Sequence, residues 1–239
     1  MKKLLYIIVF SVLVPLITTA QTIDSQLLEN CKKELADISA KKVDIHDIAF
    51  NSDGHWLILY GDIGYSYSYI PSSLDNMLGK LNSAGTSIDK ALLLRDSSFV
   101  LVYGGKQYTA QSLPTDFATE LEAVSKKDKN IKSVAYKNGT RLMVFGSNGF
   151  IARGLPQKMV AKLAQLNKKK APIRESAFYG TDGWVLLYGR TGMAFQGIPD
   201  DLCSVLQKFA KKGTVVNLVR FYGDKWVVVY DGYKVETNI

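Results

Sequence analysis

One pattern recurs five times in this chain, and this repetition constrains the fold more than any other sequence feature. Five large apolar residues follow one another at intervals of 43, 43, 42 and 42 positions: Trp56, Phe99, Leu142, Trp184 and Trp226. Each of them begins an apolar run that ends in an aromatic residue. Such a period is typical of repeat proteins, whose units bury hydrophobic surface against their neighbours.

Each unit is predicted to contain a helix that begins at a proline. Four Ile-Pro or Leu-Pro pairs recur with the same period: Ile70-Pro71, Leu113-Pro114, Leu155-Pro156 and Ile198-Pro199. Proline suits the first helical turn, where its missing N–H is no loss. Apolar residues lie three, seven and ten positions after each proline, which is the spacing of one helical face. The segment from Asp24 to Ile38 has apolar residues in the same slots, so a helix is predicted there too.

Three strands follow each helix in this interpretation. Tight turns such as Asp182-Gly183 separate the first strand from the second, because Asp-Gly and Asn-Gly adopt the positive backbone angles of short hairpins. The second strand, such as residues 226–230, is apolar on both faces and must be covered on both sides. One unit cannot supply both covers, so neighbouring units have to pack against one another.

The sequence therefore predicts an α+β repeat protein of five helix-plus-three-strand units. The units are expected over residues 21–70, 71–113, 114–155, 156–198 and 199–239. Neither end unit shows the polar surface of a solenoid cap, which favours a closed, propeller-like ring. An open curved stack is the alternative, because a helix and three strands differ from the four-stranded blade of ordinary propellers.

Residues 1–20 have the layout of a secretory signal peptide. Two lysines precede an apolar run from Leu4 to Ile17, and small residues lead to Ala20. The run is 14 residues long, shorter than the roughly 20 that cross a bilayer, so cleavage after Ala20 is expected. A leader of this style with Gln21 as the first mature residue resembles those of Gram-negative bacteria, which implies export to the periplasm or the exterior.

The repeat signature also resembles a class of poorly characterised secreted repeats. The resemblance rests on steps such as Asp182-Gly183-Trp184-Val185, followed by a glycine hairpin, an Ile-Pro pair and a short helix. Some of these repeats resemble the N-terminal repeats attached to secreted serine hydrolases of the β-lactamase type. A Ser-x-x-Lys spacing occurs at Ser39 and Lys42, but it falls at a predicted helix end rather than a helix start. The resemblance therefore implies the repeats alone and no hydrolase domain.

No catalytic residue, metal site or cofactor is predicted. The sequence contains no phosphate loop, dinucleotide fingerprint, zinc-protease motif or Gly-x-Ser-x-Gly nucleophile elbow. His46 and His55 lie in different elements and have no counterparts in the second unit, while Asp53 and Asp182 suit tight turns. A catalytic site assembled from distant residues remains the alternative.

Three tyrosines of the first unit are candidate ligand-binding residues. Tyr65, Tyr67 and Tyr69 alternate with serines in a predicted third strand, so their rings are expected on one face. Other units have smaller residues there, such as Ala152 and Gly197, so the tyrosines break the repeat. Aromatic faces suit sugar rings or peptides, and packing between units is the alternative role.

Two cysteines fall on the apolar faces of the predicted first and last helices. In an oxidising compartment, ring closure is expected to bring these helices together, and a disulfide between Cys31 and Cys203 would then tie the ends. The alternative is that both are small buried apolar side chains, because pairing does not follow from sequence.

Lysines gather where the predicted helices end, and acidic residues gather where they begin. The lysines are Lys41, Lys42, Lys126, Lys127, Lys129, Lys168, Lys169, Lys170, Lys211 and Lys212. Both placements complement the helix dipole. Because equivalent helix ends lie on one face of a repeat array, the lysines also form a candidate basic rim for anionic lipid, polysaccharide or nucleic acid.

These observations predict an exported, non-enzymatic binding protein whose repeat-built face meets a cell-envelope polymer or a protein partner. Repeat rings and solenoids often act in this way, so the expectation follows from architecture. An envelope glycan or a protein is the expected partner, nucleic acid is not favoured, and no membrane-spanning segment is predicted. The alternative function is an envelope hydrolase with a site at the centre or the rim of the ring.

Overall fold

A computed structural model describes residues 18–239 of the chain, apart from residues 96 and 128. The predicted signal peptide lies outside the described residues except for positions 18–20, which begin the first helix. None of the described helices is both long enough and apolar enough to cross a membrane.

The described chain repeats one order of elements, a helix followed by three strands. The first unit has α1 (Thr18–Ala40), β1 (Ile45–Phe50), β2 (Trp56–Tyr60) and β3 (Gly64–Tyr67). The second has α2 (Ser72–Ser83), β4 (Ile88–Leu93), β5 (Phe99–Tyr103) and β6 (Gln107–Gln111). The third has α3 (Thr115–Ser125), β7 (Ile131–Lys137), β8 (Thr140–Phe145) and β9 (Gly149–Arg153). The fourth has α4 (Gln157–Lys168), β10 (Ile173–Tyr179), β11 (Gly183–Tyr188) and β12 (Gly192–Gln196). The fifth has α5 (Asp200–Lys212), β13 (Val216–Tyr222), β14 (Lys225–Tyr230) and β15 (Lys234–Thr237).

Each unit forms its own three-stranded antiparallel sheet, with the strands in chain order. The first strand of every sheet is irregular at the same place, between an apolar residue and the residue two positions later, as between Ile45 and Asp47. Pro71, Pro114, Pro156 and Pro199 are the N-cap residues of α2 to α5. The prediction of five helix-plus-three-strand units is confirmed.

Helices α2 to α5 each lie between two successive sheets. Leu74 and Leu78 of α2 pack with Leu57 of the first sheet and Leu101 of the second. Helices α3, α4 and α5 repeat this arrangement between the following pairs of sheets. Every second strand is thereby covered on both faces, as its continuous apolar sequence requires. Burial of one such leucine stabilises the fold by about 1.5–3 kcal/mol.

Helix α1 occupies the equivalent place between the last sheet and the first. Its residues Cys31 and Leu35 pack with Ile58 of the first unit and with Leu218 and Val229 of the last. Strand β13 contacts β1, just as β1 contacts β4 and each later first strand contacts the next. These contacts between the chain's two end units favour the ring arrangement over the open stack.

The junction between the fifth unit and the first contains a backbone hydrogen bond that also occurs at two other junctions between units. The N–H of Ile88 donates to the carbonyl oxygen of Asp62 in the preceding unit across 3.1 Å. Equivalent bonds join Ile131 to Gly105 and Ile45 to Gly232, each across 2.9 Å. The last of these bonds links the fifth unit to the first, so this junction uses the same contact as two junctions inside the chain.

In the third unit, the strand pairing is shifted by one residue from the register in which the five repeats align by sequence. The register places Arg141 opposite Tyr136, as it places Trp56 opposite Phe50, so Arg141 and not Leu142 occupies the tryptophan position. The cause is the hairpin turn: Asn138 and Gly139 both have positive φ and close a two-residue turn between Lys137 and Thr140. Strand β8 therefore begins its pairing one residue earlier than the aligned sequence suggests.

The array of five units has two different ends. Turns between first and second strands lie at one end, together with the helix N-termini; we call this end the hairpin face. Loops that follow the helices lie at the other end, together with the turns between second and third strands. In all five units a backbone N–H of the second turn donates to the loop across 2.8–3.0 Å: Gly61 to Asp44, Gly104 to Ser87, Gly146 to Asn130, Gly189 to Pro172 and Asp231 to Val215.

Candidate functional site: an axial cavity on the hairpin face

A cavity of about 1150 Å³ opens on the hairpin face, and all five units line it. Its wall includes the same position from each first strand: Phe50, Leu93, Tyr136, Phe178 and Phe221. These residues end or nearly end strands that contact one another in cyclic order, so the repeat places them around one space. We call this space the axial cavity.

The wall is aromatic on one side and aliphatic on the other. The rings of Phe50 and Tyr222 lie 6.0 Å apart, and those of Tyr179 and Phe221 lie 5.0 Å apart, in both cases across a boundary between units. The aliphatic side consists of Leu93 and Leu94 of the second unit and of Leu113 and Pro114 at its boundary with the third. Leu28 of α1 adds an aliphatic side chain near Phe50 and Tyr222. These two pairs of aromatic side chains pack neighbouring units against each other, and apolar surface remains exposed to the cavity.

Cations outnumber carboxylates around the axial cavity. Its described lining includes Arg95, Lys137 and Lys225, and a single carboxylate, that of Asp224. Asp224 lies 3.9 Å from the ammonium group of Lys225. The lining is therefore positive as a whole, in contrast to a site with paired carboxylates.

Lys137 is a half-buried cation in this lining. Its Nζ lies 5.9 Å from the centre of the Tyr179 ring. Burial lowers the pKa of Lys137, and no carboxylate among the described residues offsets this effect. An anionic ligand group in the axial cavity would restore the electrostatic stabilisation that burial removes.

A narrower space of about 110 Å³ continues along the axis between the first strands, and Arg220 reaches it. The equivalent positions of the other units hold smaller or uncharged residues: Ala49, Leu92, Ala135 and Ala177. Of these five equivalent positions along the axis, only the one in the fifth unit carries a charged side chain, Arg220. Its backbone belongs to β13, and its Nε donates to the carbonyl oxygen of Ile48 across 2.9 Å.

Below this space lies a buried group of charged and polar side chains, which we call the axial polar cluster: Asp47, Lys90, Ser133, Glu175, Ser176 and Arg220. Arg220 Nη2 donates to Asp47 Oδ1 across 2.5 Å and lies 3.3 Å from Glu175 Oε2. Lys90 Nζ donates to Glu175 Oε2 across 2.8 Å, and the Ser133 hydroxyl donates to the other oxygen of Glu175. All five units thereby meet at one buried point.

The carboxylate of Glu175 is ionised despite its burial. Burial alone would raise its pKa, but the charges of Arg220 and Lys90 outweigh that effect and lower it. Burial alone would lower the pKa of the Arg220 guanidinium group, but the charges of Asp47 and Glu175 outweigh that effect and raise it. The cluster neutralises its own charges, so it is suited to joining the units rather than to transferring protons.

The structure distributes the three candidate tyrosines over two environments. The rings of Tyr65 and Tyr67 are stacked 6.2 Å apart, and the Tyr67 hydroxyl donates to Asp75 of α2 across 2.8 Å. This hydrogen bond is the main cause that raises the pKa of Tyr67. Tyr69 lies beyond the end of β3, where its ring is 5.0 Å from that of His55. Ligand binding by these tyrosines stays a prediction, and none of them lines the axial cavity.

Cys31 and Cys203 are separate thiols in the structure. Cys31 is buried between α1 and the two end sheets, whereas Cys203 is partly exposed on α5. Of the two roles considered for this pair, the structure shows unpaired thiols, and the packing of their helices gives the reason. Helix α1 packs on one face of the last sheet and α5 packs on the other, so that sheet separates the two helices.

The axial cavity was not among the sites predicted from sequence. The large apolar residues at the ends of the first strands recur in the sequence repeats. Packing within the units explains such residues equally well, so their recurrence does not by itself indicate a cavity. One sequence feature does point to the axis: the position that is alanine or leucine in four units is Arg220 in the fifth. The side chains described by the structure contain no group of three His, Cys, Asp or Glu residues able to hold a metal ion.

Comparisons with known proteins give no family for this chain. No protein-family model matches it. No curated protein matches it either. Among solved structures, one described as YCF48 bound to D1 peptide aligns with a TM-score of 0.20 and 9% sequence identity. That alignment covers 82% of this chain and 65% of the other, less than two thirds of its length. A similarity at this level carries no inference about structure or function.

Proposed function

We propose that this protein is an exported, non-enzymatic binding protein whose axial cavity receives part of a cell-envelope polymer or of a protein partner. The observation that carries the proposal is the lining of one large cavity by all five units. At about 1150 Å³ the axial cavity is somewhat larger than the roughly 300–1,000 Å³ of small-molecule sites, which suits a segment of a larger ligand.

The chemistry of the lining supports a ligand that has both apolar and anionic groups. The aromatic and aliphatic wall offers apolar surface, which favours burial of hydrophobic parts of a ligand. Lys137 supplies a half-buried positive charge that lacks a carboxylate partner among the described residues. Ligand sites often combine a mainly apolar lining with a few charged groups that fix orientation.

The alternative of an envelope hydrolase has less support at this site. Acid–base catalysis requires a titratable group within hydrogen-bond reach of the reacting atoms. The described lining of the axial cavity contains one carboxylate, Asp224, and no histidine. The buried carboxylates of Asp47 and Glu175 are held in ion pairs below the cavity.

A thermal-shift screen tests the proposal. Purified protein is mixed with peptidoglycan fragments, lipopolysaccharide, uronate-containing glycans and acidic peptides, because a ligand of the native state raises the melting temperature. We expect at least one of them to raise it, and we expect the rise to disappear in Lys137→Glu and Phe178→Ala. Lys158→Glu is the matched control, since Lys158 is exposed on α4 and does not line the cavity.

Each result is compared with the melting temperature of the same variant without ligand, which removes any direct effect of the substitution on stability. A rise that persists in both cavity variants would place binding elsewhere and contradict the proposal. A flat response to all four ligand classes would also count against it.

A further inference from the structure

The end of the ring opposite the axial cavity carries a concentration of lysines, and we call it the lysine face. It comprises the ten helix-end lysines already named, at the ends of α1, α3, α4 and α5, and all ten are exposed. The loops that follow these helices are tied to the second turns of their units by the repeated hydrogen bond described above. The fold therefore places the ten side chains at one end of the ring, where the repeat had predicted a basic rim.

Few acidic groups balance this charge. The turns between second and third strands add Lys106 and Arg190 to the lysine face. Among the described residues of these loops and turns, the acidic side chains are those of Asp44, Asp62 and Asp231. One ion pair links a helix-end lysine to the helix itself, Lys126 to Glu122 across 2.7 Å. A large positive excess remains on this end of the ring.

The hairpin face carries charges of both signs, since cations such as Arg95 and Lys225 line the axial cavity there. Acidic residues occupy the first turns of three helices there: Asp75 of α2, Asp116 of α3, and Asp200 and Asp201 of α5. The lysine clusters are thus separated along the axis from the acidic helix starts. A molecule with such a separation is oriented by any charged surface that it approaches.

Neutralising the helix dipole does not account for all of these lysines. The dipole effect is confined to the last turn of a helix, yet α4 is followed by two further lysines after Lys168. One of them, Lys170, has φ of 52°, and Lys42 after α1 has φ of 55°. The equivalent residues after α2 and α5 are Gly85 and Gly213, with φ of 64° and 66°. Lysine is therefore present at two positions where the backbone favours glycine.

We propose that the lysine face binds the surface of an anionic lipid bilayer, with the axial cavity directed away from the membrane. The lysine clusters are distributed around one end of a ring, so a planar surface can meet several clusters at once. A linear polyanion would contact fewer of them together. The partner groups are the phosphates of anionic phospholipid headgroups, and binding is electrostatic and reversible. This inference does not depend on the function proposed for the axial cavity.

Vesicle co-sedimentation tests the inference. The protein is mixed with vesicles of phosphatidylcholine alone, or of equal parts phosphatidylcholine and phosphatidylglycerol, at low and at physiological ionic strength. We expect binding to the anionic vesicles only, with a steep decrease as salt is added, because salt screens exposed charges. No binding to the anionic vesicles at low salt would overturn the proposal.

Two variants of equal net charge locate the binding surface. The first carries Lys168→Glu, Lys169→Glu, Lys211→Glu and Lys212→Glu on the lysine face. The second carries four reversals away from it, at the hairpin face: Arg95→Glu, Arg153→Glu, Lys158→Glu and Lys225→Glu. We expect the first variant to bind anionic vesicles about a hundredfold more weakly, since each lysine near such a surface contributes severalfold, and the second to bind much as the wild type does. Equal losses would show that net charge alone determines binding and would overturn the proposal.

Melting temperatures establish that both variants are folded, and the pair Lys168→Glu and Lys169→Glu alone is a milder substitute if the quadruple variant is not. Duplex DNA at the same phosphate concentration is added as a competitor. Retention of the protein on the vesicles supports the planar lipid surface. Displacement by DNA would identify a linear polyanion as the preferred partner and would also overturn the proposal.

Discussion

Arg220 in the last unit donates a hydrogen bond to Asp47 in the first unit, although 173 positions separate them in the sequence. The same aspartate accepts a backbone N–H from Ala91 of the second unit across 3.0 Å. One buried carboxylate thereby contacts three units. This arrangement ties the end of the chain to its beginning at the axis, below the cavity that all five units line.

Replacing Arg220 by methionine is expected to destabilise the protein by about 3–5 kcal/mol, because the buried charges of Asp47 and Glu175 lose a partner. Denaturant unfolding followed by circular dichroism measures this loss. Arg190→Met is the control, since Arg190 is exposed on a turn and its replacement should change the free energy of unfolding by less than about 0.5 kcal/mol. Similar values for the two variants would show that the axial polar cluster does not join the units.

The lowered pKa of Glu175 predicts loss of stability in acid. Its folded-state pKa lies below the unfolded value of about 4.3, so its contribution is complete above that value and disappears as the pH falls towards the folded pKa. We expect Glu175→Gln to be less stable than the wild type at neutral pH but to lose less further stability between about pH 5 and pH 2. Unfolding curves at a series of pH values measure both slopes, and parallel slopes would contradict the assignment.

Arg141 takes the place of tryptophan in the third unit, and its contacts explain how. Its guanidinium group donates to Asp116 and Glu120 of α3, with shortest distances of 2.6 Å to each. In the fifth unit, Trp226 Nε1 donates to Asp201, which is the counterpart of Asp116, across 2.9 Å. Helix α3 is therefore attached to its sheet by ion pairs where α5 is attached by a tryptophan.

Truncation of Arg141 to alanine is expected to cost about 2–4 kcal/mol, because a buried side chain and two ion-pair partners are lost together. Arg141→Trp should recover part of this loss, since Asp116 can accept the indole N–H as Asp201 does. Chemical denaturation of the two variants measures the difference. If the tryptophan variant is the less stable of the two, the positions are not equivalent.

The local elements of this fold could be predicted from sequence, but the way in which units meet could not. Helix faces and strand alternation depend on neighbours within a few residues, so the repeat made them visible five times. The register of β8 depends on a two-residue turn at Asn138 and Gly139, which the alignment of apolar residues conceals. The axial cavity and the Arg220–Asp47 contact depend on the mutual placement of whole units, about which the spacing of residues contains little information.

The positive φ of Lys170 predicts that a glycine would be better accommodated there. Lys170→Gly removes the steric cost of the left-handed conformation and is expected to raise stability by up to about 1 kcal/mol. The reverse comparison is Gly213→Ala after α5, which should lower stability by about 1 kcal/mol for the same reason. Thermal unfolding of both variants provides the measurement. A less stable Lys170→Gly would indicate that the lysine side chain makes a stabilising contact at the helix end.

The different surroundings of the two cysteines predict unequal reactivity. Burial, with a smaller effect of Glu34, raises the pKa of Cys31 to about 12, so its thiol is protonated and shielded at neutral pH. Cys203 is partly exposed on α5, where Gln207 is its hydrogen-bond partner. A thiol reagent is therefore expected to modify Cys203 in the folded protein and both cysteines after denaturation without a reductant.

The variants Cys31→Ser and Cys203→Ser identify which thiol reacts. Folded Cys203→Ser should not react on the timescale of the wild type, whereas folded Cys31→Ser should react at the wild-type rate if it remains folded. Absence of free thiol in denatured, unreduced wild-type protein would mean that the two cysteines pair after all. That result would require the last sheet to move from between α1 and α5, because it separates the two helices in the structure.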